Sequence, residues 1–327
     1  MTMDVTSSAN RPLLISGAVV GLVYGLVVRL GMASKHNWGG VMTAAFLFGV
    51  PFVMGFLTIF VVERKKQVSI PMWILMPWLT VLAGAVGTAV TFLEGTICIV
   101  MFLPVGLVCA STGGMIAGVI MRLVKSRMHN GAIMGCVLFL PLFIGPFERG
   151  VLLRTEVHET QTTIDIHAPA EVVWRNIERV PKIAPEELPP SWSRRIGFPN
   201  PEEATLSYEG VGGVRHATFS GGVLFIENVD VWEPQKRLGF SIHAQGDQIP
   251  ATTLDEHVRV GGEYFDVLRG EYKLESLPGG VIRLHLLSQQ KVSTDFNWYA
   301  RAWSDAIMRD LQNRILLVIQ RRAEARR

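Results

Sequence analysis

The sequence predicts two structural parts, an N-terminal all-α transmembrane bundle of four to five helices and a C-terminal α+β domain. The first 150 of the 327 residues contain five long apolar runs separated by short loops. Later segments alternate apolar and polar residues between glycine turns, as half-buried strands do. Residues 298–324 contain neither Gly nor Pro, which is typical of a long helix. We predict boundaries at 1-150 for the bundle, 151-161 for a polar connector and 162-325 for the soluble domain.

The apolar runs are long enough to cross a bilayer. A membrane-spanning helix needs about 20 residues to cover about 30 Å of hydrocarbon. Four runs meet this length, whereas the fifth is shorter and contains Pro141 and Pro146. No A-x-A-like cleavage site follows the first run, which favours an uncleaved helix over a signal peptide. The runs cover residues 13–30, 41–62, 72–93, 96–121 and 131–147.

Basic residues in the short loops predict the orientation of the bundle. Three of them occupy positions 64–66, and three more follow the fourth run, among them Lys125. The positive-inside rule therefore places these loops and the N-terminus in the cytoplasm, although Arg29 and Lys35 oppose it. The soluble domain is extracytoplasmic if the fifth run crosses, and cytoplasmic if that run is re-entrant or interfacial. The sequence favours the extracytoplasmic side, and a bacterial inner membrane is the expected location.

Composition argues against several classes of function. The first 150 residues carry a net charge of +6 and the rest carry −3, so the basic pI of 8.8 mostly reflects the membrane half. No basic stripe indicates nucleic-acid binding. Cys98, Cys109 and Cys136 lie in apolar runs without metal-ligand spacing, and no His, Asp and Glu cluster has such spacing either. We expect neither a metal nor a cofactor.

Within the bundle, ionisable residues are the usual sign of a transport pathway. Glu94 is the candidate, and its position at a run end favours an interfacial carboxylate instead. Glycines at four-residue spacing predict close helix packing. These glycines are Gly17, Gly21, Gly25, Gly114 and Gly118. Tryptophans near the run ends predict anchoring at the membrane interface. These tryptophans are Trp38, Trp73 and Trp78.

The C-terminal half predicts an antiparallel sheet with one apolar face. A helix opens at Pro169 after a first strand. On one later strand, alternation directs Leu238 and Phe240 to the same face. On another, it directs Leu268, Gly270 and Tyr272 to one face. Because one face is apolar and the other polar, the terminal helix should lie across the apolar face. The predicted strands are 162–167, 204–208, 214–220, 223–232, 237–244, 264–275 and 281–293.

Three motifs resemble a known superfamily. They are IDIHAPAEVVW at 164–174, EGVGGVRH at 209–216 and VWEP at 231–234. Together they are similar to the START-like (SRPBCC) superfamily, in particular its polyketide cyclase/dehydrase and lipid-transport branch, over residues 162–322. The resemblance implies a helix-grip fold, in which a curved antiparallel sheet surrounds a long C-terminal helix and an apolar cavity. Members bind lipids, sterols, polyketides or plant hormones, and some are enzymes, so the fold alone leaves the function open.

Candidate ligand-binding residues are the inward apolar side chains of these strands and of the terminal helix. The aromatic ones fit a cavity wall and a filled core equally well, and both interpretations remain open. The candidates are Phe219, Phe225, Phe240, Tyr272, Leu284, Trp303 and Ile307.

Candidate acid–base residues follow from the same alternation. Arg215 and His216 are adjacent on one strand, so at most one of them enters the cavity. Glu227 and Asp230 point to opposite faces unless a bulge shifts the register, so one of these acids is expected inside. His216, Glu227 and Asp230 are the catalytic candidates. Ion pairs also perturb protonation, and a structural ion pair or a solvated face is favoured over catalysis.

Three hypotheses follow. The first is membrane-anchored binding of a hydrophobic or lipid-like small molecule, for transfer or sensing, with the lipid bilayer as the second partner. The next is a cyclase- or dehydratase-like lyase acting on a polyketide- or isoprenoid-like ligand. The last is a sensor or interaction module that pairs with a membrane protein, or with a second copy, through its glycine faces. The absence of a recognisable catalytic constellation argues against an enzyme.

Overall fold

The structure is a computed structural model that describes residues 11–33, 42–123, 127–151, 154–245 and 259–325. The chain forms two compact units that divide near residue 153. Lys35, Trp38 and Lys125, together with the start of the second apolar run, lie outside the described residues.

The N-terminal unit is helical. Among the described residues, four helical segments are long and apolar enough to cross a membrane, namely Arg11–Gly31, Ala45–Glu63, Met72–Val90 and Thr96–Leu123. The apolar part of α5, Ala132–Ile144, is shorter. Whether α5 crosses stays a prediction. The helices are α1 (Arg11–Ala33), α2 (Val50–Glu63, after a π-helical turn at Ala45–Gly49), α3 (Met72–Val90), α4 (Thr96–Leu123) and α5 (Arg127–Val151).

Glycines set the spacing of the helices in this unit. A Cβ added at Gly17 or Gly21 of α1 would collide with Thr58 of α2. A Cβ at Gly114 of α4 would likewise collide with the backbone of Trp73 in α3. The prediction that these glycines allow close helix packing is confirmed.

Trp73, which the sequence predicts at the membrane interface, is buried against other residues of the bundle. It is 5% exposed, and its Nε1 donates a hydrogen bond to the buried Glu63 carboxylate over 2.8 Å. The Arg122 guanidinium lies 4.3 Å from the centre of the Trp73 ring. Sequence patterning singled out Glu94, which pairs with Arg29, and overlooked Glu63 because it ends an apolar run beside basic residues.

The C-terminal unit contains a seven-stranded sheet, as far as the chain is described, with the strand order β1-β7-β6-β5-β4-β3-β2. Neighbouring strands from β2 to β7 pair antiparallel. The strands are β1 (Arg154–Ile166), β2 (Pro201–Leu206), β3 (Val214–Phe219), β4 (Val223–Glu233), β5 (Arg237–Gln245), β6 (Phe265–Leu277) and β7 (Val281–Thr294). The helices are α6 (Ala170–Glu178), α7 (Trp192–Arg195) and α8 (Asn297–Glu324).

The predicted fold class is confirmed, because a curved antiparallel sheet surrounds the long C-terminal helix α8. One side of α8 is buried through residues such as Met308, Leu311 and Ile319. The short helix α6 adds Trp174, whose ring packs edge-on against Trp232 of β4 with 5.2 Å between centroids. Burial of these apolar side chains is the main stabilisation of the fold.

The predicted connector at 151-161 is largely strand, because β1 begins at Arg154. Its inward side chains are polar, so no apolar alternation marks the strand in the sequence. His158 and Thr160 are buried, and Thr160 donates a hydrogen bond to Asp305 of α8 over 2.7 Å. Polar contacts with α8 therefore replace the usual apolar contacts here.

A bulge in β6 overturns the prediction for Leu268. The register with β7 shifts between Val267 and Arg269, which moves Val267 to the buried face in place of Leu268. Beyond the bulge, Gly270 and Tyr272 are buried as predicted. A bulge changes which side chains point inward without changing the strand boundaries, so alternation alone cannot locate it.

Candidate ligand-binding site

A cavity of about 100 Å³ lies between the buried face of the sheet and α8. Strands β2 to β7 contribute to its walls, and the segment from residue 180 to residue 201 also lines it. Most of the lining is apolar. Representative apolar lining residues are Phe198, Phe219, Phe225, Leu286, Leu311 and Ile315.

Of the predicted ligand-binding residues, Phe219, Phe225, Phe240 and Tyr272 line the cavity. The rings of Phe219 and Phe225 meet edge-on at 5.0 Å, and those of Phe240 and Tyr272 are 6.3 Å apart. These four residues form an aromatic wall across β3 to β6. Their role in binding a ligand stays a prediction.

The structure does not bring the other three predicted residues to the cavity. Leu284 and Ile307 are buried, but they lie outside the lining. Trp303 faces Trp192 of α7 instead, with 6.3 Å between ring centroids. Helical spacing identified the covered part of α8 correctly, but it could not distinguish side chains that contact α7 from those that contact the cavity.

A buried ion pair lies in the wall of this cavity. Arg215 of β3 and Glu227 of β4 are directly opposite each other in the sheet, and Nη1 of Arg215 donates a hydrogen bond to Oε2 of Glu227. Arg215 is 3% exposed and Glu227 is 5% exposed. The guanidinium also lies 5.4 Å from the centre of the Phe240 ring, which adds a cation–π attraction.

Burial controls the protonation of this group. Burial raises the pKa of the Glu227 carboxyl, and the opposing charge of Arg215 limits that rise. Burial also raises the pKa of Tyr272 to about 12, with Arg215 acting in the opposite direction. Tyr272 therefore keeps its hydroxyl proton at neutral pH. It can donate one hydrogen bond and accept others.

One donor of this group remains unpaired. Among the described residues, Nε of Arg215 has no hydrogen-bond partner. A buried donor without a partner costs about 1–3 kcal/mol, and an oxygen atom of a bound molecule would offset that cost. The cavity thus offers a mostly apolar wall and a localised polar end formed by Arg215, Glu227 and Tyr272.

The other two catalytic candidates lie away from the cavity. His216 is exposed, because its neighbour Arg215 occupies the inward position of β3. Asp230 lies in the β4 bulge, between Val229 and Val231, and pairs with Arg269 of β6 in a partly exposed contact. Of the three predicted catalytic residues, the structure therefore places Glu227 alone in the cavity lining.

The sequence reasoning missed four polar lining residues, namely Glu203, Thr218, Ser288 and Gln312. Gln312 of α8 donates from Nε2 to Oγ of Ser288 over 2.9 Å and to the carbonyl oxygen of Thr160 over 3.0 Å. Oε1 of Gln312 also accepts from Thr162 over 2.7 Å. A glutamine among apolar helix positions is a weak signal, because it resembles an ordinary exposed residue. Gln312 therefore ties the cavity wall to the polar inner side of β1.

Gly270 allows the aromatic wall to form. It lies opposite Phe240 in the β5–β6 pairing. A Cβ at this position would lie 2.5 Å from the Phe240 ring, so any other residue would displace that ring. The close approach of ring and backbone explains a glycine within a strand.

The segment that follows α6 covers one side of the cavity and is tied to α8. Arg322 donates to both carboxylate oxygens of Glu187, over 2.7 Å and 2.8 Å. These hydrogen bonds hold the pKa of Glu187 at about 2, well below its ordinary value. Further along, Ser191 and Ser193 both donate to Asp310. The covering segment is therefore held by polar contacts at two positions along α8, Asp310 and Arg322.

Comparisons with known proteins show similarity at the level of fold. No family model matches the chain, and no curated protein matches it. Zhui aromatase/cyclase from Streptomyces sp. R1128 is 14% identical, with 53% of this chain and 97% of that chain covered and a TM-score of 0.32. A START superfamily protein from Mycobacterium smegmatis is 9% identical, with 52% and 99% covered and a TM-score of 0.34.

A third solved structure is DynU16, a protein of the dynemicin biosynthetic locus. It is 18% identical, with 48% of this chain covered and a TM-score of 0.28, and the matched region spans 45% of its length. At this level of similarity the comparisons carry no functional argument. The strand order and the long C-terminal helix of the C-terminal unit themselves define a helix-grip fold.

Proposed function

We propose that this chain is a membrane-anchored protein whose C-terminal domain binds a hydrophobic or lipid-like small molecule, for transfer or for sensing. The observation that carries the proposal is the apolar cavity with a buried Arg215–Glu227 pair at one end. Ligand sites in proteins combine mostly apolar walls with a few fixed polar groups. Four apolar helices of spanning length support the anchoring.

The arrangement favours an amphipathic ligand over a purely apolar one. An apolar molecule would leave Nε of Arg215 without a hydrogen-bond partner. A carbonyl, hydroxyl or carboxylate oxygen would accept from that donor and from the Tyr272 hydroxyl. The aromatic wall would then contact the apolar body of the ligand.

Native mass spectrometry of the full-length protein in mild detergent tests this proposal. We expect a discrete small molecule to remain bound and to be identified after release. Ala217 lines the cavity, so Ala217→Leu should reduce the bound fraction by filling the space. Thr205→Leu is the matched control, because Thr205 is exposed on the neighbouring strand β2. The proposal fails if the protein yields nothing enriched over a mock preparation, or if both variants lose the ligand equally.

A second candidate function is acid–base catalysis on a polyketide- or isoprenoid-like ligand. One observation favours it, namely that Glu227 lines the cavity and that burial raises the pKa of its carboxyl. A general base needs a pKa near the working pH and contact with its substrate. Once a bound molecule is identified, wild type and Glu227→Gln should be incubated with it. Product formation by the wild type alone would support catalysis, whereas recovery of the unchanged ligand from both would leave binding as the function.

The interaction-module hypothesis relied on free glycine faces. The structure shows these glycines in contact with other helices of the same bundle, for example Gly17 with Thr58 and Gly118 with Trp73. The observation that supported a partner at these faces is thereby explained within one chain. A homo-oligomer or a membrane-protein partner remains a proposal that co-purification would test.

A further inference from the structure

A row of aromatic side chains runs along the surface at the beginning of α8. Trp298 is 68% exposed, and its ring lies 5.5 Å from that of Tyr299. Tyr299 is 6.4 Å from Trp303, which in turn is 6.3 Å from Trp192 of α7. Trp192 is 40% exposed. We call these four residues the aromatic row.

The chemistry of the row differs from that of an ordinary surface. Tryptophan and tyrosine combine an apolar ring with a hydrogen-bonding group, so they favour the boundary between lipid and water. Arg194 and Arg195 lie two and three residues after Trp192 and are exposed. Such basic residues attract the phosphate groups of anionic lipids. The rings can therefore contact the lipid–water boundary of a bilayer, and the guanidinium groups can contact its phosphate groups.

The aromatic row lies at the end of the domain where the polypeptide enters it. Nδ2 of Asn297, next to Trp298, donates to the carbonyl oxygen of Arg154, the first residue of β1, over 2.6 Å. Arg301 forms an ion pair with Glu156 of β1 at 2.9 Å. This end of α8 is thus fixed to the start of the first strand.

Chain length links this end of the domain to the apolar helices. The last residue of α5 is Val151, three residues before Arg154. Three extended residues span at most about 11 Å. The apolar stretch of α5 ends at Ile144, only a few helical residues earlier. Residues 145–153 alone therefore separate the apolar stretch of α5 from the first residue of β1.

From these observations we infer that the aromatic row is a membrane-docking surface, with Trp298 and Trp192 placed at the lipid headgroup level of the bilayer that anchors the chain. The inference depends on the membrane anchoring in the proposed function, but not on ligand binding. Docking would fix the orientation of the domain on the bilayer and hold α7 at the lipid surface.

Quenching by brominated lipid tests this inference. The full-length protein is reconstituted, one copy per nanodisc, in lipid with or without bromine atoms on the upper acyl carbons, and tryptophan emission is compared. Subtracting the emission of Trp298→Phe from that of wild type isolates the contribution of Trp298. We expect that contribution to be strongly reduced in brominated lipid, and likewise for Trp192→Phe.

Two control variants separate the alternatives. Trp174→Phe removes a buried ring of the same domain, and its contribution should be unaffected by bromine. Trp78→Phe removes an exposed ring of α3, and its contribution should be quenched if the helices lie in the bilayer. If Trp78 is not quenched, the anchoring itself is wrong. If Trp78 is quenched and Trp298 behaves like Trp174, docking is refuted, and a second copy or another protein becomes the better occupant of the row.

Discussion

Replacing Arg215 by methionine isolates the energetic role of the buried ion pair. The substitution preserves much of the side-chain volume but leaves the Glu227 carboxylate buried without its cationic partner. Breaking a buried pair on one side typically costs about 3–5 kcal/mol. For a domain of this size each kcal/mol lowers the melting temperature by about 2–4 °C, so we expect a decrease of roughly 6–20 °C.

The loss should depend on pH in a defined direction. Without Arg215, burial raises the pKa of Glu227 further above the ordinary value of 4.5 that it has in the unfolded chain. A group whose pKa is higher in the folded state favours folding at low pH and loses that contribution as the pH rises through the folded-state pKa. The melting deficit of Arg215→Met should therefore be large at neutral pH and become smaller as the pH falls towards 4.5.

A double variant and a surface control complete the experiment. Replacing both partners, as in Arg215→Met with Glu227→Leu, should recover most of the stability, because an apolar pair avoids burying a lone charge. Arg269→Met breaks the partly exposed pair with Asp230 and should cost at most about 1 kcal/mol. Thermal unfolding of the full-length protein in detergent, followed by near-ultraviolet circular dichroism, measures these three variants and the wild type. The reasoning would be refuted if Arg215→Met were as stable as the wild type, or if the double variant were no more stable than Arg215→Met.

Three further predictions concern other parts of the molecule. Gly113→Ala should destabilise the bundle, because the added Cβ would collide with the α2 backbone. Gly87→Ala is the control and should be tolerated, because a Cβ there has no neighbour within 4 Å. Heating in detergent followed by size-exclusion chromatography compares the two variants. Since the pKa of Glu187 is lowered to about 2, its ion pair stabilises the covering segment above pH 4.5 and is lost as the pH falls towards 2. The protection factors of residues 181–201, which are exchange rates corrected for the intrinsic pH dependence of amide exchange, should decrease over that range in wild type, and should already be low at neutral pH in Arg322→Gln. Trp174→Ala should cost about 3–5 kcal/mol by calorimetry, because its buried ring fills the space beside β4.

Periodicity was sufficient to predict most of the fold. Apolar runs located the helices of the bundle, and alternation located β2 to β7 within a few residues of their observed ends. Both signals arise from burial, which acts on every second residue of a strand and along one side of a helix. The same signal failed for the first half of β1, before the predicted strand at 162–167, where His158 and Thr160 take the inward positions that apolar residues usually occupy.

The candidate site was predicted less completely than the fold. Alternation found the aromatic wall and showed that one residue of the Arg215–His216 pair faces inward, but it could not choose between them. Which of the two residues faces inward depends on the residue that lies opposite on the neighbouring strand. The register of the β3–β4 hairpin supplies that information, because Phe219 pairs with Val223 and Arg215 therefore lies opposite Glu227. Val267 entered the lining through a bulge, which alternation does not reveal.

The short turn between β3 and β4 has a role beyond linking two strands. Gly221 and Gly222 have φ values of 81° and 80°, a backbone conformation that favours glycine at both positions. The length of the turn is constrained more strongly, because inserting or deleting one residue would shift the register and turn Glu227 to the solvent side. Arg215 would then be buried alone. Over evolutionary divergence, this turn should therefore not tolerate changes of length.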